Sequence, residues 1–268
     1  MLSPTHNPQH DDSTLYKVSN ATVRLSAHGV SREILTDITM SVRAGEVVGI
    51  VGRSGTGKTT LLRALGGLVP VASGELNLRG KAITSPPADV VTVFQDYVNA
   101  LLPWRTVERN VALPLQGKIS RRELRERVAD AIAAVGLTGR EKDYPKSLSG
   151  GMQQRVQIAR ALTMSPNVLL MDEPFGALDA MTRASLQDEV LRLQSRTGTT
   201  IVFITHDLDE AIYLSNTVYV IAGKPGTLAL RVDVDLPRER DQVQTREMPR
   251  YVELRHRLAE ALDMVGTH

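Results

Sequence analysis

Gly52, Arg53, Ser54, Gly55, Thr56, Gly57, Lys58 and Thr59 follow one another in the pattern GxxxxGK[ST], a pattern suited to holding phosphates. The glycines let backbone N–H groups turn inward around anionic oxygens. Lys58 would reach the β and γ oxygens of a nucleotide, Thr59 would hold Mg²⁺, and Thr60 stands next at the start of the following helix. A second acidic feature, Asp172-Glu173-Pro174, closes the apolar run Val168 to Met171. A carboxylate at the C-terminal end of a buried strand emerges where the ligands of open α/β sheets gather, so Asp172 is a candidate for Mg²⁺ and Glu173 for orienting or deprotonating a water. Between the two lies Leu148-Ser149-Gly150-Gly151-Met152-Gln153-Gln154-Arg155. There a small-residue turn opens a helix, and its free N–H groups and dipole favour negative charge.

Each feature also has a plainer reading. A glycine-rich turn can simply be a turn, two acids at a strand end can be solvated, and Ser149 can cap a helix that binds nothing. A single Gln95 is ordinarily a surface amide, and a single His206 after a strand is ordinarily structural. The phosphate loop sits after the β-rich run Val47 to Val51 and before the helix-like Thr60 to Leu65. That is the context the motif requires, and it tips the acidic pair toward chemistry.

The elements that must position these residues are visible as apolar runs. Val47 to Val51, Val90 to Phe94, Val168 to Met171, Thr200 to Ile204 and Val218 to Ile221 are nearly continuous and are separated by helical segments, which predicts a parallel sheet covered on both faces. Tyr16 to Leu25 and Ile34 to Val42 alternate instead, as expected of a half-exposed antiparallel layer. Between Gln95 and Ser149 the pattern turns helical, with Leu124, Val128, Ala131, Ile132 and Val135 on one face and Gly136 ending the run. The expected fold is α/β: a P-loop NTPase (RecA-like) core with a parallel sheet, an N-terminal antiparallel β layer and an inserted α-helical subdomain over about 96–160. Residues 15–236 would form the nucleotide-binding domain, 1–14 a mobile tail, and 237–268 a helical extension. In that extension Tyr251, Leu254, Leu258, Ala261 and Val265 share a stripe that covers either its own domain or another subunit.

Composition narrows the setting. The chain has 268 residues, a net charge of +2 and no cysteine, which excludes disulfides, thiolate metal sites and a cysteine nucleophile. Arg238 to Glu260 mixes both signs of charge, which argues against a nucleic-acid groove. No apolar run approaches the roughly 18 residues needed to cross a bilayer, and the polar start lacks the apolar core of a signal peptide. A membrane would be served from its side.

Taken together, the phosphate loop, the Ser149-Gly150-Gly151 turn and the Asp172-Glu173 pair resemble the ATP-binding cassette ATPases. The resemblance covers about Val18 to Leu258. It implies a head-to-tail dimer of two copies that encloses two ATP molecules, each held by the phosphate loop of one copy and the LSGGQ-type signature of the other. Ser149, Gly150 and Gly151 match that signature, with its glutamine displaced one place to Gln153. By the same resemblance Gln95 contacts Mg²⁺ and the water and senses a membrane partner. Ala177-Leu178-Asp179 matches the segment that crosses the dimer interface, placing Asp179 near nucleotide, and His206 matches a switch histidine at the γ-phosphate. The aromatic residue that the family stacks on adenine has no counterpart around Thr22 to Gly29, where Leu25 and His28 stand. Tyr16 lies too early.

Gln95-Asp96-Tyr97, Leu101 to Val107 with Pro103-Trp104, Asn110 to Pro114 and His206 to Ala211 look like the nitrate, sulfonate and taurine importers within that family. This implies an ATPase on the cytoplasmic face of the membrane, docked through residues near 95–114 to transmembrane permease subunits and indirectly served by a solute-binding protein. Trp104 would either bury against the partner or pack within the helical subdomain. Exporter cassettes and soluble mechanical ATPases acting on DNA or ribosomes share the fold. The latter usually carry coiled-coil insertions or tandem cassettes, and neither is present here. A small-molecule kinase has no use for Ser149 to Gln154.

Overall fold

The computed structural model describes residues 14–27, 30–95, 100–176 and 178–264. Residues 1–13 of the expected tail, His28, Asp96-Tyr97, Ala177 and Val265 lie outside them, while Thr14, expected in the tail, already begins a strand. Two sheets form the body. Strands β1 (Thr14–Ala27), β2 (Val30–Arg43), β4 (Ser73–Leu78) and β5 (Lys81–Ala82) make an antiparallel sheet in the order β2-β1-β4-β5. Strands β3 (Val47–Val51), β6 (Val90–Val93), β7 (Val168–Asp172), β8 (Thr200–Ile204), β9 (Thr217–Ala222) and β10 (Thr227–Asp233) make the second, in the order β10-β9-β3-β8-β7-β6. All its pairings are parallel except β10 with β9.

The strand period of two divides each central strand between two cores. Val48, Ile50, Leu170, Val202 and Ile204 turn toward the antiparallel sheet and helix α1 (Lys58–Leu65). Val47, Val51, Leu169, Met171, Ile201 and Phe203 turn toward the remaining helices. Both faces are covered, which is why these strands read as unbroken apolar runs. The strands anticipated at Val47, Val90, Val168, Thr200 and Val218 are present. Edge strand β10 and the β4–β5 pair were not anticipated, because they are mostly exposed and no unbroken apolar run marks them.

Helices α2 (Val107–Ala112), α3 (Arg121–Ala134) and α4 (Gly150–Leu162) form the expected insertion between β6 and β7, packed on one another and on the helix-covered face of the sheet. Helix α5 (Ala180–Thr197) follows β7, α6 (Leu208–Leu214) follows β8, and α7 (Gln244–Glu247) and α8 (Pro249–Met264) end the chain. Tyr251, Leu254, Leu258 and Ala261 of α8 are buried in the same core as β9 and α6. The stripe therefore covers its own domain. The guanidinium of Arg240 fastens this region, donating to the carbonyls of Ile212, Tyr213 and Ser215 at the end of α6.

Candidate functional site

The phosphate loop leaves β3 and enters α1 through glycines that no other residue replaces without strain. Gly57 has φ of +94°, and a Cβ there would stand 2.7 Å from Leu35 Cδ2. Gly52 packs so closely that a Cβ would meet the Ile221 carbonyl oxygen at 2.3 Å. Side chains cap α3 through Ser120, α4 through Ser149, α5 through Asp179 and α6 through Asp207, but none caps α1. The first-turn N–H groups at Lys58, Thr59 and Thr60 therefore face an anion site with no internal acceptor.

Lys58 Nζ donates to the Gly52 and Arg53 carbonyls at 2.8 and 2.9 Å. Burial pulls its pKa down, while the Glu173 and Asp172 carboxylates pull it up. Thr59 Oγ1 donates to Asp172 Oδ1 at 3.3 Å, across 113 positions of sequence. Burial raises the carboxyl pKa of Asp172 and the Thr59 bond opposes the rise. These oxygens, with the Gln95 amide, are the hard donors that suit Mg²⁺, which takes one or two protein ligands beside phosphates. Among the described residues no cluster of three His, Cys, Asp or Glu forms a protein-only metal cage.

Glu173 lies at the end of β7 with φ of +47°, in the left-handed region that non-glycine residues avoid and that functional sites tend to retain. Its Oε2 accepts from Gln95 Nε2 at 3.1 Å and lies 3.5 Å from His206 Nδ1. Ser54, Gly55, Gly57, Lys58, Thr59, Thr60, Gln95, Glu173, His206 and Ile34 line one open cleft of about 480 Å³. The structure thus brings together five separate stretches of sequence, at Ile34, Ser54 to Thr60, Gln95, Glu173 and His206.

The second glycine turn is not part of this cleft. Ser149 Oγ accepts from Met152 N–H at the start of α4, and Gln153 Nε2 donates to the Pro145 and Leu148 carbonyls. Gly151 lies so close to Leu178 that a Cβ would meet Leu178 Cδ2 at 2.5 Å. Asp179 caps α5 by accepting from Thr182 N–H, and hydrogen bonding from the Thr182 side chain and then from that N–H lowers its pKa. Tyr16 is buried with its hydroxyl on the Leu65 carbonyl, so no ring from it is free for a base.

Three neighbours of the site escaped the sequence reading. Gln154 and Gln157 are buried in α4, and Ile34 of β2 lines the loop. Polar residues on the inner face of a helix, next to the Ser149 turn, were the available signal for the first two. Trp104 is 70% exposed, which removes the reading that packs it inside the helical subdomain. It edges a cavity of about 660 Å³ between α2 and α3, lined also by Arg105, Glu108, Arg109, Arg121 and Arg125.

The chain matches the family model described as ABC transporter over residues 35–176. It is 42% identical over 232 residues to a nitrate import ATP-binding protein, NrtC, of Synechococcus elongatus, a match covering 85% of this chain and 35% of that protein. The chain thus spans about a third of that relative's length. It is 43% identical over 210 residues to an aliphatic sulfonates import ATP-binding protein, SsuB, of Bacillus cereus, covering 78% and 82%. Among solved structures it is similar to cbiO1 from Clostridium perfringens, part of an ABC transporter complex, with a TM-score of 0.75, 29% identity and coverage of 83% and 89%. The cassette MJ0796, in a dimeric post-hydrolysis state bound to ADP and Pi, matches with a TM-score of 0.73 and 29% identity over 82% and 99%.

Proposed function

Because this chain belongs to the ABC transporter family of ATP-hydrolysing cassettes, we propose that it is the motor subunit of an importer for a small anion such as nitrate, a sulfonate or taurine. The observation that carries the reading is the convergence of Lys58, Thr59, Gln95, Glu173 and His206 on one cleft, with buried Asp172 bonded to Thr59. The importer names of the relatives favour uptake over the exporter and soluble mechanical alternatives.

In this reading the α1 N-terminus and residues 52–60 hold the triphosphate, with Lys58 leaving the loop carbonyls for the β and γ oxygens. Thr59, Asp172 and Gln95 would hold Mg²⁺, which neutralises phosphate charge when bound. Glu173 takes the proton of the attacking water or fixes its direction, and Gln95 and His206 hold that carboxylate in place from two sides. Ser149, Gly150, Gly151 and Gln153, with Asp179, lie outside the cleft of their own chain and would complete that of a second copy. ATP would then close two copies head to tail, and hydrolysis would release them.

The cavity beside Trp104 suits a docking helix of a transmembrane permease subunit, with a solute-binding protein acting further away. None of the described helices is long and apolar enough to cross a membrane. As the ATP-binding subunit of such an importer, the chain would sit peripherally on the cytoplasmic face. We take 15–236 as the nucleotide-binding domain, with its helical subdomain at about 96–160 and a C-terminal extension at 237–268. The test is the oligomeric state of the Glu173→Gln chain. Crosslinking and scattering should give a dimer with ATP and Mg²⁺ and a smaller species without, and protomers at saturating nucleotide would overturn the assignment.

A further inference from the structure

Gln154, Gln157 and Arg160 recur every three residues along α4 and so share one face of it. Each donates to a main-chain carbonyl of another segment. Gln154 Nε2 donates to Glu173 at 3.3 Å, Gln157 Nε2 to Phe94 at 3.2 Å and Arg160 Nη1 to Ala100 at 2.7 Å. Glu173 is the residue placed at the reacting water. Phe94 precedes Gln95 directly, and Ala100 leads toward Trp104. One helix face therefore holds the backbone at Glu173, just before Gln95 and at the approach to the proposed docking surface.

The two glutamines are poorly explained as stabilising residues. They are 3% and 5% exposed, and the Oε1 atom of each is buried with no partner among the described residues. A buried amide that meets only its donor half gains little over an apolar side chain, and such exceptions call for a reason. The reason lies in what the donors hold. Glu173 adopts a strained backbone, and its N–H donates to the Ile204 carbonyl at 3.1 Å while its own carbonyl accepts from the Gly176 N–H at 3.3 Å and, from outside its own turn, from Gln154 Nε2. Both polar groups of the strained peptide are therefore committed, which is how such a conformation persists.

We propose that Gln154, Gln157 and Arg160 are positioning residues that tie the register of α4 to the placement of Glu173 and Gln95. This inference rests on the function proposed above, in which the Ser149 end of α4 meets the nucleotide of a second copy. A helix is stiff along its axis, so contact at Ser149 displaces Gln154 and Gln157 together. Nucleotide held at the far end of α4 thus adjusts the water-directing groups of the chain that owns the helix. Neither glutamine touches the reacting atoms.

The experiment measures phosphate release by the full chain carrying Gln154→Met or Gln157→Met, which keep the volume and remove the donor. Nucleotide affinity is followed with a fluorescent ATP analogue, and thermal melting is recorded alongside. The expected result is a kcat reduced roughly tenfold or more, as misplacement of a reacting group produces, with KM and analogue affinity within about twofold of wild type. Arg160→Lys should keep most of the rate that Arg160→Met loses. Wild-type kcat in both methionine variants would overturn the proposal, as would a fall in kcat matched by equal losses of affinity and melting temperature. The Glu173→Gln chain, run in parallel, separates the two ideas. If it loses turnover while the methionine variants keep it, only the coupling through α4 fails; if the wild type shows no hydrolysis, the motor reading fails as well.

Discussion

Glu173 Oε2 receives the Gln95 side-chain amide at 3.1 Å although the two residues are 78 positions apart. The bond joins the end of β7 to the end of β6, adjacent parallel strands whose C-terminal edges open onto the cleft. With His206 Nδ1 3.5 Å from the same oxygen, the carboxylate stands in the cleft that the phosphate loop lines. Replacing Glu173 by Gln keeps the volume and removes the proton acceptor. Turnover should fall by about 10²- to 10⁴-fold while ATP still binds, as read by phosphate release and by nucleotide titration. Hydrolysis at the wild-type rate would remove Glu173 from the role given to it.

Gly57→Ala forces a Cβ to 2.7 Å from Leu35 Cδ2 at a backbone φ of +94°. The variant should lose about 1–3 kcal/mol of stability and bind nucleotide more weakly. Gly80→Ala is the control, because its φ is +72° but nothing stands within 4 Å of the added carbon. Urea unfolding of both variants isolates the steric part, and equal losses would show that packing at Gly57 contributes nothing.

Glu210 is buried near His206, with Thr205 Oγ1 donating to its Oε2 at 2.5 Å. Burial raises its pKa above the ordinary 4.5, Asp207 adds to the rise, and Thr205, Arg183 and His206 oppose it. A carboxyl whose folded pKa is raised costs stability where it is ionised, and that cost vanishes once pH falls below the unfolded value. Glu210→Gln should therefore melt above wild type at neutral pH, with the advantage closing as pH falls toward 4.5. Melting curves across that range decide it, and a variant less stable than wild type at neutral pH would mean that Arg183 outweighs burial.

Trp104 is exposed, so Trp104→Ala should change stability by no more than about 0.5 kcal/mol and leave basal ATP hydrolysis intact. Co-purification with the permease subunits from solubilised membranes should weaken. A large loss of melting temperature would instead place the ring in this chain's own core.

Much of the site was legible because its chemistry is local. The glycine spacing at 52–59, the strand that precedes it and the helix that follows are all encoded within a few residues, as is the cap at Ser149. Parallel strands covered on both faces were legible from their unbroken apolar runs, and the α8 stripe from its spacing. Gln154 and Gln157 were not singled out, because a glutamine on a helix looks the same in sequence whether it faces water or a buried carbonyl. Edge strand β10 was missed because its Leu228, Leu230 and Val232 only alternate with exposed residues, without the unbroken apolar run that marks the central strands.

The amino-acid order by itself therefore determined which pieces exist: an anion-binding loop, an acidic strand end, a histidine after another strand and a second glycine turn. It did not determine which of them meet. β7 lies between β8 and β6, and β3 between β8 and β9, and only that order brings Thr59 to Asp172 and Glu173 to both Gln95 and His206. Strands buried on both faces carry nearly interchangeable apolar sequences, so their neighbours are chosen by crossover connections and by packing between layers. Those are long-range choices, and no spacing along the chain records them.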